Sequence, residues 1–190
     1  MRIIAGLGKG RNLLSPQGAV RPTSDRAREA LFSTLESEFG SLQDLNFLDL
    51  YCGSGAVSAE ALSRGAAFVQ AVDKDEKATS VARANHDLLG NIPGIGSSSV
   101  ITMSVSRFLD RQPDLKFDIV FIDPPYETNF EDVAANLTKL TVNGFLKQNS
   151  IVAWERDSKN RTFAWPQGLR AVKERKYGAA TIYYAEPEAS

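Results

Sequence analysis

From Asn46 to Trp154 the chain repeats one unit, a short apolar run followed by a helical stripe. The runs are Asn46-Phe47-Leu48 ending at Asp49, then 68–72 ending at Asp73, 100–103, 117–122 and 151–154. Strands covered by helices on both faces read this way, as near-continuous apolar stretches. The stripes between them predict helices over 56–64 (closed by Gly65), 76–89, 105–111 and 131–140, with a Gly/Ser/Pro loop over 91–99. Parallel strands need such crossovers. Residues 169–175, Tyr177-Gly178 and 180–184 read instead as an antiparallel hairpin. The expected fold is therefore α/β and doubly wound, a mostly parallel seven-stranded sheet with an antiparallel C-terminal edge strand.

Two loops carry the chemistry, each where a strand hands over to a helix. In open α/β sheets the ligand sits outside the carboxyl ends of the strands, where strand order reverses. The first loop is Asp49-Leu50-Tyr51-Cys52-Gly53-Ser54-Gly55. Its glycines let a ligand approach the backbone, and the next helix offers its first amides. A Gly-x-Gly alone is a weak sign, and Ser58 stands where the dinucleotide fingerprint wants a third glycine. Asp73, eighteen residues after Gly55, is the stronger sign: a carboxylate at the end of the second strand can accept from both ribose hydroxyls. Capping the following helix is the plainer role, and Asp75 is better placed for it. Cys52 sits in this loop and reads as a packing residue, and His86 as a surface residue.

The second loop, Asp123-Pro124-Pro125-Tyr126, is more specific. Its prolines have fixed φ and no N–H, so they hold the Asp123 side chain and the Pro124 carbonyl open to a ligand. Two acceptors suit an exocyclic NH₂, one for each hydrogen. The lone pair of such an amine is delocalised into the ring. Gripping both hydrogens aims it at an electrophilic methyl, and Asp123 stabilises the cation that develops. Tyr126 is placed to stack on a flipped base. A rigid proline turn without chemistry is the plainer alternative.

The 190 residues suit one domain with a small appendage. One cysteine excludes an internal disulfide and one histidine argues against a His-based zinc site or a Ser-His-Asp triad, so no metal is expected. No apolar run reaches membrane-spanning length and the N-terminus lacks a signal-peptide core, which fits a cytoplasmic protein. Net charge is −1, yet residues 1–30 hold six basic against two acidic side chains and residues 147–176 eight against three. Such ends could share a phosphate-facing surface, or simply solubilise loops. Residues 1–14 read as a hairpin with a flexible basic tip. A helix then opens near Arg21-Pro22-Thr23-Ser24-Asp25-Arg26, capped by Thr23 or Ser24, with Ala27, Leu31, Leu35 and Phe39 as its stripe and Gly40 as its stop. Residues 1–40 form the appendage and 41–190 the main domain.

The stretch 47–55 with Glu60-Ala61-Leu62-Ser63-Arg64-Gly65-Ala66 resembles motif I and its helix in the RsmD family of 16S rRNA guanine-N2 methyltransferases. Arg21 to Arg26, running into Arg28-Glu29-Ala30-Leu31-Phe32, is similar to that family's N-terminal signature, and Asp123-Pro124-Pro125-Tyr126 to its amine-positioning motif. The opening Arg2-Ile3-Ile4-Ala5-Gly6 and the closing Tyr177-Gly178 also fit. The resemblance implies a class I methyltransferase (Rossmann-like) fold and S-adenosylmethionine as donor. It implies as target a guanine of 16S rRNA in an assembled or partly assembled small subunit, met by a monomer. Asp49, Gly53, Ser54 and Gly55 would line the methionine end, and Asp73 with Lys74 the ribose. Ser104 and Val105 stand where Asp or Asn usually meets the adenine amine, so that contact would rest on backbone. Asp123, Pro124 and Tyr126 would be catalytic, with Arg11, Arg21, Thr23, Arg26 and Pro125 against substrate. The residues themselves leave three alternatives open. These are N6-adenine methylation of DNA or another RNA, a non-catalytic RNA-binding scaffold, and a dehydrogenase, against which Ser58 and the proline loop count.

Overall fold

A computed structural model describes residues 1–15, 25–157 and 163–188. The element order is α1(Asp25–Phe39), β1(Asn46–Leu50), α2(Ala56–Ser63), β2(Phe68–Asp73), α3(Glu76–Gly90), β3(Ser97–Thr102), α4(Val105–Leu109), β4(Phe117–Ile122), α5(Phe130–Val142), β5(Leu146–Asp157), β6(Leu169–Tyr177) and β7(Ala180–Pro187). The seven strands lie in the order β3-β2-β1-β4-β5-β7-β6. Strands β3 to β5 run parallel, and β7 pairs antiparallel with both β5 and β6. The antiparallel edge is thus a hairpin whose second strand inserts beside β5 and whose first strand is outermost.

Period-two alternation divides the core between two layers. Phe47, Ile119, Phe121, Ile151 and Ala153 face α1, α2 and α3. Their neighbours Leu48, Val120, Ile122, Val152 and Trp154 face α4 and α5. The order reverses between β1, which continues to β2, and β4, which continues to β5. The crevice above β1 and β4 is the switch point, and both chemical loops leave the sheet there.

Three expectations change. The loop foreseen over 91–99 gives way at Ser97, because Ser97 to Ser99 pair with Phe68 to Gln70 of β2; backbone pairing, not side-chain pattern, makes that strand. The N-terminal hairpin has a single bridge, Arg2 with Asn12, and its tip is pinned rather than flexible. The Leu7 amide donates to Ser63 O at 2.7 Å, and a Cβ on Gly6 would stand 1.8 Å from that same oxygen. Ile3 and Leu13 join the layer of α1 and α2. Arg28, counted above among the basic residues of the N-terminus, is fully buried and bonds Arg2 O and Asp25. The proposed caps Thr23 and Ser24 lie outside the described residues.

Candidate active site

The first loop leaves β1 through a backbone reversal. Tyr51 has φ +62°, in the left-handed region that a bulky residue rarely adopts. Its hydroxyl accepts from Asn136 Nδ2 of α5 at 2.9 Å, so a packed helix holds the strained residue. Gly55 follows at φ +72° as the residue before α2, and a Cβ there would meet Ala82 Cβ of α3 at 2.8 Å. Glycine is therefore required for both conformation and helix approach. By contrast, the space around the Cα of Gly53, also at positive φ, is open.

Asp73 ends β2 and turns toward this loop. Its Oδ2 accepts from Gly53 N at 2.9 Å and its Oδ1 from Asp75 N at 3.0 Å. Two amides orient the carboxylate, and each oxygen keeps a lone pair for another donor. Asp75 is the cap of α3, accepting from Lys77 N and Ala78 N. Lys74 is exposed beside them. Buried Ser54 has its carbonyl held by Asn85 Nδ2 at 2.9 Å, and Asn85 also bonds Leu14 in both directions. One asparagine of α3 thereby ties the N-terminal strap to the cofactor-type loop.

Asp49 does not open into the crevice. It is buried, and Oδ2 accepts from Ser58 N at 3.1 Å in the first turn of α2. Burial pushes its carboxyl up to about 7, and the charges of Asp123 and Asp73 add to the rise against the Ser58 bonds. Three carboxylates from adjacent strand ends thus feel one another. Among the described residues no group of His, Cys, Asp and Glu is arranged to hold a metal.

His86 is buried, contrary to the expectation of a surface residue. Its Nε2 lies 2.9 Å from Ser58 Oγ, which donates to Gly55 O at 3.1 Å. Burial pushes its pKa down to about 4, opposed by Asp87. Cys52 is a buried thiol whose pKa burial raises, with Asp49 and Asp73 adding, so it is no thiolate nucleophile. Ser104 caps α4, its side chain accepting from Arg107 N at 3.4 Å, and Val105 is buried.

The second loop leaves β4 one strand away. Asp123 N donates to Leu50 O at 3.4 Å, holding the two loops side by side, and Thr128 N closes the turn on Pro125 O at 2.9 Å. Asp123 and Pro124 are half-buried; Pro125 and Tyr126 are exposed, Tyr126 by 62%. Gly53, Ser54, Gly55, Asp73, Asp123 and Pro124 therefore converge on one crevice, with Asp49 buried beside them. Arg11 does not join them: it lies on α3, bonding Leu88 O. Arg26 is exposed on the first turn of α1, and Arg21 and Thr23 lie outside the described residues. Tyr51, Ser58, Asn85, His86 and Asn136 were not singled out as site residues from the sequence. Only Ser58 carried a signal, as the substitute for a third glycine.

A glycine turn whose backbone at Gly53 is open to close approach, beside a carboxylate oriented by two amides with lone pairs left for hydroxyls, suits a ribonucleoside-type cofactor such as S-adenosylmethionine. The family profile described as "Conserved hypothetical protein 95" matches residues 1–186. "Ribosomal RNA small subunit methyltransferase D" of Haemophilus influenzae is 35% identical over 182 residues, covering 94% of this chain and 89% of that protein. The protein of that name in Escherichia coli K12 is 31% identical, covering 100% of this chain and 91% of its own. The solved structure of yhhF from Escherichia coli superposes with a TM-score of 0.84 at 27% identity, over 100% of this chain and 99% of that one.

Proposed function

The chain belongs to the family described as conserved hypothetical protein 95, and from that premise we propose that it methylates the exocyclic N2 of a guanine in 16S rRNA. Relatives named small-subunit rRNA methyltransferase support the reaction and the rRNA substrate. The observation that carries it is the side-by-side placing of the Gly53–Gly55 turn with Asp73 and the Asp123-Pro124 turn at one switch point.

S-adenosylmethionine supplies the electrophilic methyl when bound. The backbone of the Gly53–Gly55 turn faces its methionine end, and Asp73 accepts from its ribose. Backbone groups near Ser104 and Val105 meet adenine, since the Ser104 side chain caps α4. The Asp123 carboxylate and the Pro124 carbonyl each take one hydrogen of the target amine. That grip turns the nitrogen lone pair toward the methyl for direct displacement. The charge that appears on nitrogen is stabilised by Asp123 until one of its protons leaves to water. Tyr126 stacks on the flipped base and Pro125 borders it. Residues 1–40, with Arg11, Arg21, Thr23 and Arg26, face the RNA, in a monomer acting in the cytoplasm on an assembled or partly assembled small subunit.

The test is incubation with labelled S-adenosylmethionine and naked 16S rRNA, small subunits or DNA, followed by nucleoside mapping. N2-methylguanosine in 16S rRNA is expected; N6-methyladenosine as the sole product overturns the reading. Asp123→Ala removes most transfer while cofactor affinity stays near wild type.

A further inference from the structure

We propose that Glu155 selects guanine by accepting the N1–H of the base whose amine is held at Asp123 and Pro124; this rests on the guanine-N2 reading above. Strand β5 runs parallel to β4 with Ile122 opposite Trp154. The next residue on each chain, Asp123 and Glu155, are then lateral neighbours, at the roughly 4.8 Å spacing of paired strands. Alternation decides the side. Val152 and Trp154 lie in the α4–α5 layer, Ile151 and Ala153 in the α1–α2 layer, so Glu155 continues the latter. Phe121, two residues before Asp123, lies in that same layer, and Asp123 is close enough to Asp49 for their charges to interact.

Arg156, the next charged residue, turns the other way. Its guanidinium stacks over Trp154 at 4.7 Å, Phe163 at 4.8 Å and Phe130 at 5.7 Å. An acid, not a base, therefore stands beside the amine-holding turn. Glu155 is half-buried, where a charge-assisted hydrogen bond is stronger than in water.

The chemistry separates the two purines with exocyclic amines. Asp123 and Pro124 can grip the N6 amine of adenine as well as the N2 amine of guanine. Along the base edge next to the amine, guanine presents N1–H, a donor, and adenine presents N1, an acceptor. A carboxylate at that position bonds guanine. Against adenine it sets a negative charge on a lone pair, leaving both unpaired. Asp123-Pro124-Pro125-Tyr126 cannot make this distinction.

The experiment compares wild type, Glu155→Gln and Glu155→Ala on small subunits reconstituted with 16S rRNA. At the mapped target the rRNA carries guanine or 2-aminopurine, which keeps the 2-amine and lacks N1–H. Wild type prefers guanine. Glu155→Gln lowers kcat/KM on guanine roughly 10- to 100-fold, leaves S-adenosylmethionine affinity unchanged, and narrows the preference, because its amide N–H can donate to a bare N1. Undiminished kcat/KM on guanine in Glu155→Gln overturns the proposal, as does an unchanged preference. Loss of cofactor affinity along with turnover in that variant marks a structural residue and equally overturns it. A wild type that makes N2-methylguanosine while Glu155 proves indifferent sinks this inference alone; a wild type that methylates no guanine sinks the function with it.

Discussion

Ser58 is gripped from two sides by groups of opposite titration behaviour. Its amide donates to Asp49, and its hydroxyl lies between His86 Nε2 and Gly55 O. Because the hydroxyl gives its hydrogen to Gly55 O, the imidazole is the donor, as the neutral Nε2–H tautomer. His86 falls from 6.5 to about 4 on folding. The unfolded chain then binds the extra proton in that interval, and stability drops as pH falls through it. Asp49 rises from 3.8 to about 7. There the folded chain holds the extra proton, and stability drops as pH rises through the interval. The two effects oppose each other below pH 6.5, and above it only Asp49 acts. Asp49→Asn keeps an acceptor for the Ser58 amide and removes the buried charge. Without ligand it is expected to be more stable than wild type at pH 8, by on the order of a few kcal/mol, and by less than half of that at pH 5. Thermal melts at the two pH values check this; an equal difference at both would contradict it. None of this was visible in the chain, since the helical neighbours of His86 are polar and its partner comes from a different helix.

At the scale of elements, the N-terminal hairpin owes its place to one carboxylate of α2. Glu60, fully buried, accepts from Ile4 N at 2.8 Å, Ala5 N at 2.9 Å and Arg64 Nε at 2.9 Å, with Arg28 Nε at 3.5 Å. Two hairpin amides and two guanidiniums converge on it, and one of those, Arg28, has no solvent exposure. Glu60→Gln leaves that charge undercompensated, which costs about 3–5 kcal/mol when a buried pair is broken. The expected result is a lower melting temperature together with faster hydrogen exchange at Ile4 and Ala5, while amides of β1 and β4 keep their protection until global unfolding. Uniform acceleration would show that the hairpin is not a separate unit. The five parallel strands were legible because apolar runs between helical stripes admit few other structures. Their limits were less so: β3 starts on three serines and β5 extends from Leu146 to Asp157, well past the apolar 151–154. Backbone pairing with a neighbour extends a strand where side chains give no sign. The pinned hairpin was illegible for a different reason, since glycines that permit flexibility also permit close docking.

Among the described residues of the whole molecule, basic side chains gather on the N-terminal segment and on the outer strand β6. The N-terminal strap docks on α2 and α3, bonding Ser63, Leu88 and Asn85. The basic strand β6 is the far edge, separated from β4 by β5 and β7. Much of the charge is also matched internally: Arg28 with Asp25, Arg64 with Glu36, Lys147 with Asp118, Arg170 with Glu186 and Lys173 with Glu38. The two basic ends read from the sequence are thus partly neutralised, and they meet where Lys173 of β6 pairs with Glu38 of α1, which a linear count of charges does not reveal. An RNA seated at the switch point would meet exposed Lys74 and the cations at the N-terminal side, of which Arg11 and Arg26 are exposed. Each phosphate neutralised contributes about 0.7–0.9 to the slope of log affinity against log salt. With about three or four contacts, a slope no steeper than about −4 is expected for 16S rRNA between 50 and 200 mM salt. Arg26→Glu should flatten that slope by about one contact's worth, and Lys176→Glu on β6 should leave it unchanged. Fluorescence anisotropy across a salt titration measures both; a slope that responds equally to the two variants would mean that the RNA wraps the sheet edge as well.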